Sequence, residues 1–499
     1  MTRHLNHILY FLIFLMVFNF TSSIMGGGYV VGALGGNDEI SMYGVAFFGL
    51  GNACTFAFAT ELGSRFGRIQ VLRAAVLLFF LFMFFCGYAS TFFLFVLMRF
   101  FAGAACGVFF PLSLSLINEC MPEPKKNKSL AFLAALMTVT PVLGACFGGW
   151  IAYDFVWSFI FYSQLPFIAL ALLLLCLHKA KAPPPILEKK TFDWTGFIFY
   201  LFTIGSFVSA ISLGEQLDWF RSPLTCTLLG TSCITALFFI MWEWNHESPF
   251  MDLTLFKIPV FSISVFSVSF LFSAYFGMII LLSLWLHQEV NYTPLWIALL
   301  IAHMLIAGAV LFFVLEKWLK KTTSFSVVAL AVAFFAISCF YSTFFNAEIN
   351  FGRLAIARIF AGLGLAFFLF PLLLLCLNAL PKEKESEGLA IFQSARLLSG
   401  SLGSVVYATV WFRRKIFYHD RLGEQLTAYS QQTDQFFSQV SFYGFAEPQS
   451  NSLLEKALIK QASALALADC FYLMGWIMIA ILIVILFYLF TKKWIFKSE

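Results

Sequence analysis

The sequence predicts an all-α integral membrane protein of fourteen transmembrane helices, arranged as two six-helix bundles with two helices inserted between them. Its composition, the number and length of its apolar runs, and an internal repeat all point there. Hydrophobic residues make up 61% of the 499 residues and charged residues 11%, against roughly 45–50% and about 25% in a soluble domain. Phe alone occurs 66 times. Such a chain cannot hide its apolar surface from water, so lipid is the expected solvent for most of it. A soluble enzyme, a nucleic-acid binder and a disordered protein are excluded. The net charge of +5 is spread over many short loops and forms no nucleic-acid patch. The cysteines lie almost all in apolar runs, as Cys86, Cys106, Cys146 and Cys376 do. They read as small packing residues, and neither a disulfide framework nor a metal site is expected.

A helix needs about 20 apolar residues to cross the hydrocarbon core. Runs of that kind fall at 8–28, 41–60, 72–89, 92–117, 129–152, 157–177, 194–213, 224–242, 260–286, 294–315, 324–344, 353–379, 388–412 and 470–490. The first run follows Arg3 and His4 like a signal peptide, but it has no convincing cleavage site and reads as span 1. Connections are short except for 413–469, a polar, Gln/Ser-rich outer segment. It reads as an amphipathic cap, a contact for an outer-face adaptor protein, or a dangling loop. Most of the 31 Lys and Arg fall on alternate loops, among them Arg65, Arg68, Arg73, Lys125, Lys126 and Lys128. The positive-inside rule then places both termini in the cytoplasm.

The repeat divides the chain. Arg99-Phe-Phe-Ala-Gly103 returns 259 residues later as Arg358-Ile-Phe-Ala-Gly362. In the same register Met121-Pro122 becomes Leu380-Pro381 and Gly144 becomes Gly403, while Pro111 is answered one residue late by Pro371. The expected domains are an N-terminal six-helix bundle over 1–178, a linker with two inserted helices over 179–258, and a C-terminal bundle over 259–499. The stretch Pro183-Pro184-Pro185 opens the linker. Two like halves facing each other, with a site near the midplane, suit alternating access. No GxxxxGK[ST] loop is present, which argues against direct use of ATP.

Two motifs carry local chemistry. In Thr60-Glu-Leu-Gly-Ser-Arg-Phe-Gly67-Arg68, Gly67 supplies the flexible residue that a tight turn wants. Arg65 and Arg68 can bind carboxylates or helix C-termini, or serve only as positive-inside charge. In span 5, Pro141, Gly144, Gly148 and Gly149 bend the helix and let a neighbour approach closely. This reads as a packing seam, a hinge, or both.

Together these residues resemble the major facilitator superfamily, in its fourteen-span EmrB/QacA-like drug:proton antiporter branch. The loop residues Leu62, Arg65, Gly67 and Arg68, the Arg99–Gly103 pair of span 4 and the span-5 glycines match its motifs. So do Phe192-Asp193-Trp194-Thr-Gly196, Gly214…Asp218-Trp219-Phe220, Pro249…Asp252-Leu253…Leu255-Phe256 and Arg396…Gly400-Ser-Leu-Gly403. The resemblance covers nearly the whole chain and implies proton-coupled export from the cytoplasmic (inner) membrane. A small molecule is then the substrate, protons the coupling ion and the bilayer the surroundings, with neither nucleic acid nor cofactor involved. Three departures stand out. The usual span-1 Asp-x-Thr is Asn19-Phe-Thr21, the Asp before Arg65 is Ser64, and the Gly-Pro of span 5 is Gly144-Ala145.

An ionisable residue inside a span is costly and a functional candidate. No Asp or Glu falls near mid-span, so the usual carboxylate proton carrier is missing from its place. The candidates for coupling or the substrate pathway are Arg99, His303, Asn19, Glu61, Arg358 and Arg396. Resemblance gives Arg99 to proton coupling. A histidine is the side chain able to gain and lose a proton near neutrality, which makes His303 a candidate, but it equally reads as a packed structural residue. Glu61 reads as a proton acceptor or as the ion-pair partner of Arg65 or Arg68, and the buried arginines favour an anionic or zwitterionic substrate. The expected activity is proton-driven export of amphipathic drugs or toxic metabolites, and not an enzymatic reaction. A dedicated transporter of one endogenous anionic metabolite and a non-transporting, transporter-like receptor are the alternatives.

Overall fold

In lipid the backbone amides of these apolar runs have no partners but one another, so the helix is their local solution. The computed structural model describes residues 2–36, 40, 42–120, 123–178, 193–246, 249–305, 324–381, 384–427, 430–445 and 447–495, and every element among them is helical. The linker stretch 179–192 with Pro183–Pro185 and Phe192, the pair Met121-Pro122, and the second half of the run 294–315 lie outside these described residues.

The first half comprises α1 (Thr2–Met25), the short α2 (Gly27–Ala33), α3 (Tyr43–Phe66), α4 (Arg68–Tyr88), α5 (Phe92–Cys106), α6 (Phe109–Cys120), α7 (Glu123–Asp154), α8 (Phe159–Tyr162) and α9 (Leu165–Leu177). Gly67 alone joins α3 to α4 at φ +85°, a conformation that costs an L side chain about 1–2 kcal/mol. Thr91 starts α5 by accepting the Leu94 amide at 3.3 Å, a side-chain N-cap. The run 92–117, expected as one helix, turns at Gly107-Val108 into α5 and α6. The pair expected as an insertion is α10 (Trp194–Gly214) and α11 (Pro223–Asn245). The last part holds α12 (Pro259–Gln288), α13 (Pro294–Leu305, as far as it is described), α14 (Ser324–Ser342), α15 (Phe351–Asn378), α16 (Glu385–Gly423), α17 (Gln431–Phe442) and α18 (Glu447–Ile495).

Among the described residues, twelve helices are long and apolar enough to cross a membrane. Two of the fourteen expected spans fall outside that set. The run 41–60 is the 24-residue helix α3, and 294–315 is described only over the shorter apolar helix α13.

Of the alternatives for the segment 413–469, the dangling loop does not hold: the segment is mostly helical, as α16 runs on to Gly423, α17 covers Gln431–Phe442, and α18 begins at Glu447. At 39 and 49 residues, α16 and α18 measure about 58 and 74 Å, far beyond a hydrocarbon core of about 30 Å. Their excess lies side by side, joined by His419 Nε2 to Glu455 at 2.8 Å and by Tyr418 Oη donating to Asp469 at 2.9 Å. We call this the projecting end and the Gly67 side the opposite end.

The sequence repeat reappears in the helix crossings. A methyl group on Gly103 would lie 2.0 Å from the Phe48 carbonyl of α3, and one on Gly362 lies 2.3 Å from the Met304 carbonyl of α13. Likewise Gly144 meets the Phe18 carbonyl of α1 at 2.6 Å, and Gly403 the Ser273 carbonyl of α12 at 2.5 Å. The two parts of the chain meet where Gly49 of α3 faces Ser401 of α16, with only 1.7 Å between an added methyl and the hydroxyl oxygen.

Candidate functional site

These glycine crossings seat Arg99. Gly51, Gly103 and Gly107 bring α5 onto the backbone of α3, which places the Arg99 guanidinium between α1, α3 and α8–α9, with no exposure to solvent. Its Nη1 donates to Asn19 Oδ1 at 2.7 Å, Nη2 to Ser23 Oγ at 2.7 Å and Nε to the Gly44 carbonyl at 3.2 Å. Rings of Phe48 and Phe161 lie 4.2 and 5.7 Å from its central carbon, within cation–π range. The network continues: Asn19 Nδ2 donates to Gln164 Oε1 at 3.2 Å, and Gln164 Nε2 to Ser22 Oγ at 3.1 Å.

The chemistry of this arrangement is that of a buried cation without a counter-ion. Among the described residues every hydrogen-bond partner of Arg99 is neutral, and arginine keeps its proton at any working pH. Asn19 takes the place a carboxylate would fill, so no proton can come or go at residue 19. The charge is held by charge-assisted hydrogen bonds instead.

Arg358 and Arg396 are also buried, at 1% and 2% exposure. Arg358 donates from Nη2 to Ser342 Oγ at 2.7 Å, faces Phe471 at 5.6 Å, and leaves Nε and Nη1 without partners. Although the repeat equates it with Arg99, its shell is much poorer. Arg396 lies elsewhere, on α16, where it borders a narrow cleft between α1, α3 and α7 on one side and α12 and α16 on the other. Pro141 also lines this cleft, and so does Phe48, the residue stacked on Arg99. His303 does not join any of these groups. Its Nδ1 lies 2.8 Å from the Leu299 carbonyl of its own helix and its ring packs edgewise on Phe351. Glu61 pairs with Arg65 at 2.5 Å at the opposite end, away from the central network. Gly144 and Gly148 pack on α1, while Gly149 faces the Pro294 carbonyl at 3.2 Å. Gly67 makes its turn, and Arg68 follows it as the first residue of α4.

Several site residues escaped the sequence reading. Ser23 and Gln164 complete the shell of Arg99; a glutamine inside the run 157–177 was the visible signal. Arg73 caps the C-terminus of α9, donating to the Leu175 carbonyl at 2.9 and 3.1 Å and to that of His178 at 3.0 Å.

A family model described as Major Facilitator Superfamily matches residues 8–404. The chain belongs to this superfamily. It is 26% identical over 455 residues to the multidrug export protein EmrB of Escherichia coli, covering 91% of this chain and 88% of that one. It is 27% identical over 471 residues to the fatty acid resistance protein FarB of Neisseria gonorrhoeae, covering 94% and 92%. Among solved structures, a POT family transporter in complex with a thioalcohol-conjugated peptide superposes with a TM-score of 0.64 at 13% identity, over 98% of this chain and 96% of that one. The protein is thus a multi-pass membrane protein with the major facilitator fold, and its relatives and fold neighbours are transporters, not enzymes.

Against that superfamily frame, the phrases flanking the inserted helices act as stitches. Asp193 Oδ1 accepts the Gly196 amide at 2.9 Å and Oδ2 accepts Trp242 Nε1 at 2.9 Å, fixing α10 to α11. Glu215 accepts Trp219 Nε1 at 2.8 Å and pairs with Arg413 of α16 at 2.7 Å. The next two residues, Arg414 and Lys415, pair with Asp469 of α18 and with Glu289 directly after α12. At the opposite end Asp252 accepts the Thr254 amide at 2.9 Å and pairs with Lys384.

That last pair has a pH signature. Burial pushes the Asp252 carboxyl upward, but the bonds from Lys384 and Thr254 outweigh it and hold it below the usual carboxylate range. The bond to Asp252 raises Lys384 above the usual lysine range. A depressed acid stabilises the fold above its unfolded pKa of about 4 and loses that contribution as pH falls through the folded value. The raised lysine contributes below about 10 and loses its share as pH rises further. Asp252→Asn should therefore lower the melting temperature in detergent at pH 7, and the gap to wild type should close below about pH 4. A gap that stays constant down to pH 3 would exclude the ion pair as its source.

Proposed function

We propose that the protein is a secondary active transporter of the cytoplasmic (inner) membrane that exports amphipathic drugs or toxic metabolites by alternating access, driven by protons. The observation that carries this reading is the buried, carboxylate-free Arg99 network on α5, bordering through Phe48 the cleft where the two parts of the chain meet. A charge kept inside a membrane domain at such cost marks a working site. The kinship with EmrB, a multidrug export protein, supports drug-like cargo. In this reading fourteen spans form bundles over 1–178 and 259–499 around the inserted 179–258, with both termini cytoplasmic. The projecting end then faces outward and offers an adaptor protein a helical contact. Asn19 cannot carry the proton, so the carrier is another group, with His303 and Glu61 the titratable candidates.

Efflux of a panel of fluorescent cations and anions from proteoliposomes, under an imposed pH gradient, tests this. Uncoupler-sensitive efflux of several unrelated compounds is expected. Efflux that ignores the gradient would remove proton coupling, and no efflux of any dye would overturn the reading.

A further inference from the structure

Two buried carboxyls face each other where α10 begins and α11 ends. Asp193 caps α10 and Glu243 lies in the last turn of α11, at 6% and 3% exposure. A Cβ on Gly196 would stand 2.2 Å from Glu243 Oε1 and 2.5 Å from Asp193 Oδ2. Less than about 5 Å therefore separates the two oxygens, a range in which one negative charge disfavours a second. Aromatic rings wall the place. Phe197 and Tyr200 pack on Phe250 at 5.3 and 5.6 Å, and Phe58 of α3 lies 5.8 Å from Trp194. No cation among the described residues pairs with either acid. The charges that Glu243 feels are those of Asp193 and Asp252, both negative. Lys384, at the head of α16, is held by Asp252; Lys257 lies over the Trp244 ring at 4.7 Å, and His246 stacks on Trp242 at 5.3 Å.

Two uncompensated charges in so dry a place are far costlier than one. The surroundings decide which of them stays. Asp193 sits at the positive end of the α10 dipole and accepts the Gly196 amide and Trp242 Nε1, both at 2.9 Å. Glu243 sits at the negative end of α11, accepts the Met251 amide through Oε2 at 3.1 Å, and leaves Oε1 without a partner. We propose that Glu243 and Asp193 bind one proton between them at neutral pH, carried on Glu243 Oε1 and directed at Asp193 Oδ2. The proton closes the seam between α10 and α11, and its loss leaves two facing anions that push the seam apart. Met251 is followed by Asp252, which holds Lys384, so the state of the pair is tied by one short stretch of backbone to the start of α16. The inference goes beyond the transport reading and needs no cargo.

Infrared spectra of the purified full chain in detergent test it, with the proton itself as the probe. At pH 7 wild type should show the carbonyl band of a protonated carboxylic acid, which fades as pH rises and which Glu243→Gln lacks. Melting temperature gives a second readout. Glutamine keeps the acceptor for the Met251 amide and offers Asp193 an N–H where the proton stood. In the unfolded chain Glu243 ionises above about pH 4, whereas the folded pair keeps its proton to higher pH, so wild type loses stability as pH rises between the two. Glu243→Gln should therefore melt level with wild type near pH 4 and several degrees above it near pH 8. An acid band that Glu243→Gln retains, or a variant less stable than wild type at every pH, would overturn the proposal and leave Glu243 an ionised acceptor for Met251. Sodium or magnesium chloride that stabilises wild type but not the variant, with no acid band, would put a metal ion in the proton's place and overturn it too. Should Glu243→Gln fail to fold, wild type made with isotope-labelled glutamate decides the matter, since the absence of an acid band that the label shifts would overturn the proposal.

Discussion

Arg99→Ala should reduce gradient-driven efflux by about a hundredfold or more, the scale on which a preorganised buried donor matters, while the amount of protein in the membrane stays near that of wild type. The two halves of this expectation come from the same geometry. Alanine removes the donor that organises Asn19 Oδ1, Ser23 Oγ and the Gly44 carbonyl, and it removes the charge beneath Phe48, which lines the cleft. It also removes a desolvated cation, and that relief offsets the lost charge-assisted hydrogen bonds, each worth about 1.5–3 kcal/mol. Efflux assays matched for protein level check the prediction. Normal rates in the variant would take Arg99 out of the mechanism and leave it a structural cation.

The second large effect is on assembly. Gly148→Val should lower the melting temperature in detergent by several degrees and cut the yield of folded protein. The added Cβ would stand 1.9 Å from the Ser22 carbonyl oxygen and 2.7 Å from its carbon, and backbone on α1 cannot swing aside as a side chain can. The helices must part, and forced overpacking of this kind costs about 1–3 kcal/mol. Parting α1 from α7 also shifts Ser22 and its neighbours Asn19 and Ser23, so transport should fall further than stability. Gly149→Ala is the control, because its nearest contact is the Pro294 carbonyl at 3.2 Å. Equal tolerance of the two substitutions would contradict the α1–α7 seam.

The all-helical class, the repeat and the burial of Arg99 were legible in the sequence because each leaves a local mark. A run of apolar residues has a length, a repeat has an offset, and an arginine among phenylalanines is conspicuous. The partners of Arg99 were half legible. Asn19 was flagged through the motif it departs from, whereas Ser23 and Gln164 join the shell only when α1, α5 and α8–α9 pack, and nothing in their own neighbourhoods announces it. The distinction between Arg358 and Arg396 was invisible for the same reason, since which buried arginine borders a cleft is a property of crossings between distant helices. For the segment 413–469, hydropathy left an amphipathic cap, a partner contact and a dangling loop undivided. Hydropathy reports the solvent of a segment, not its backbone, and a polar helix beyond the bilayer scores like a coil. His303 drew attention by its chemistry alone, and its ring meets a carbonyl of its own helix and a phenylalanine.

The length of α18 carries a mechanical consequence. One unbroken helix of 49 residues leaves about 40 Å of rigid rod outside a 30 Å core. Its polar length is clamped to α16 through His419–Glu455, and nearer its apolar part Arg414–Asp469 does the same. A rod held this way is a lever whose fulcrum sits in the bilayer. A tilt of 10° in the membrane part would sweep the tip by about 7 Å, so whatever touches that tip would register the transport cycle as displacement, without any contact with the cargo.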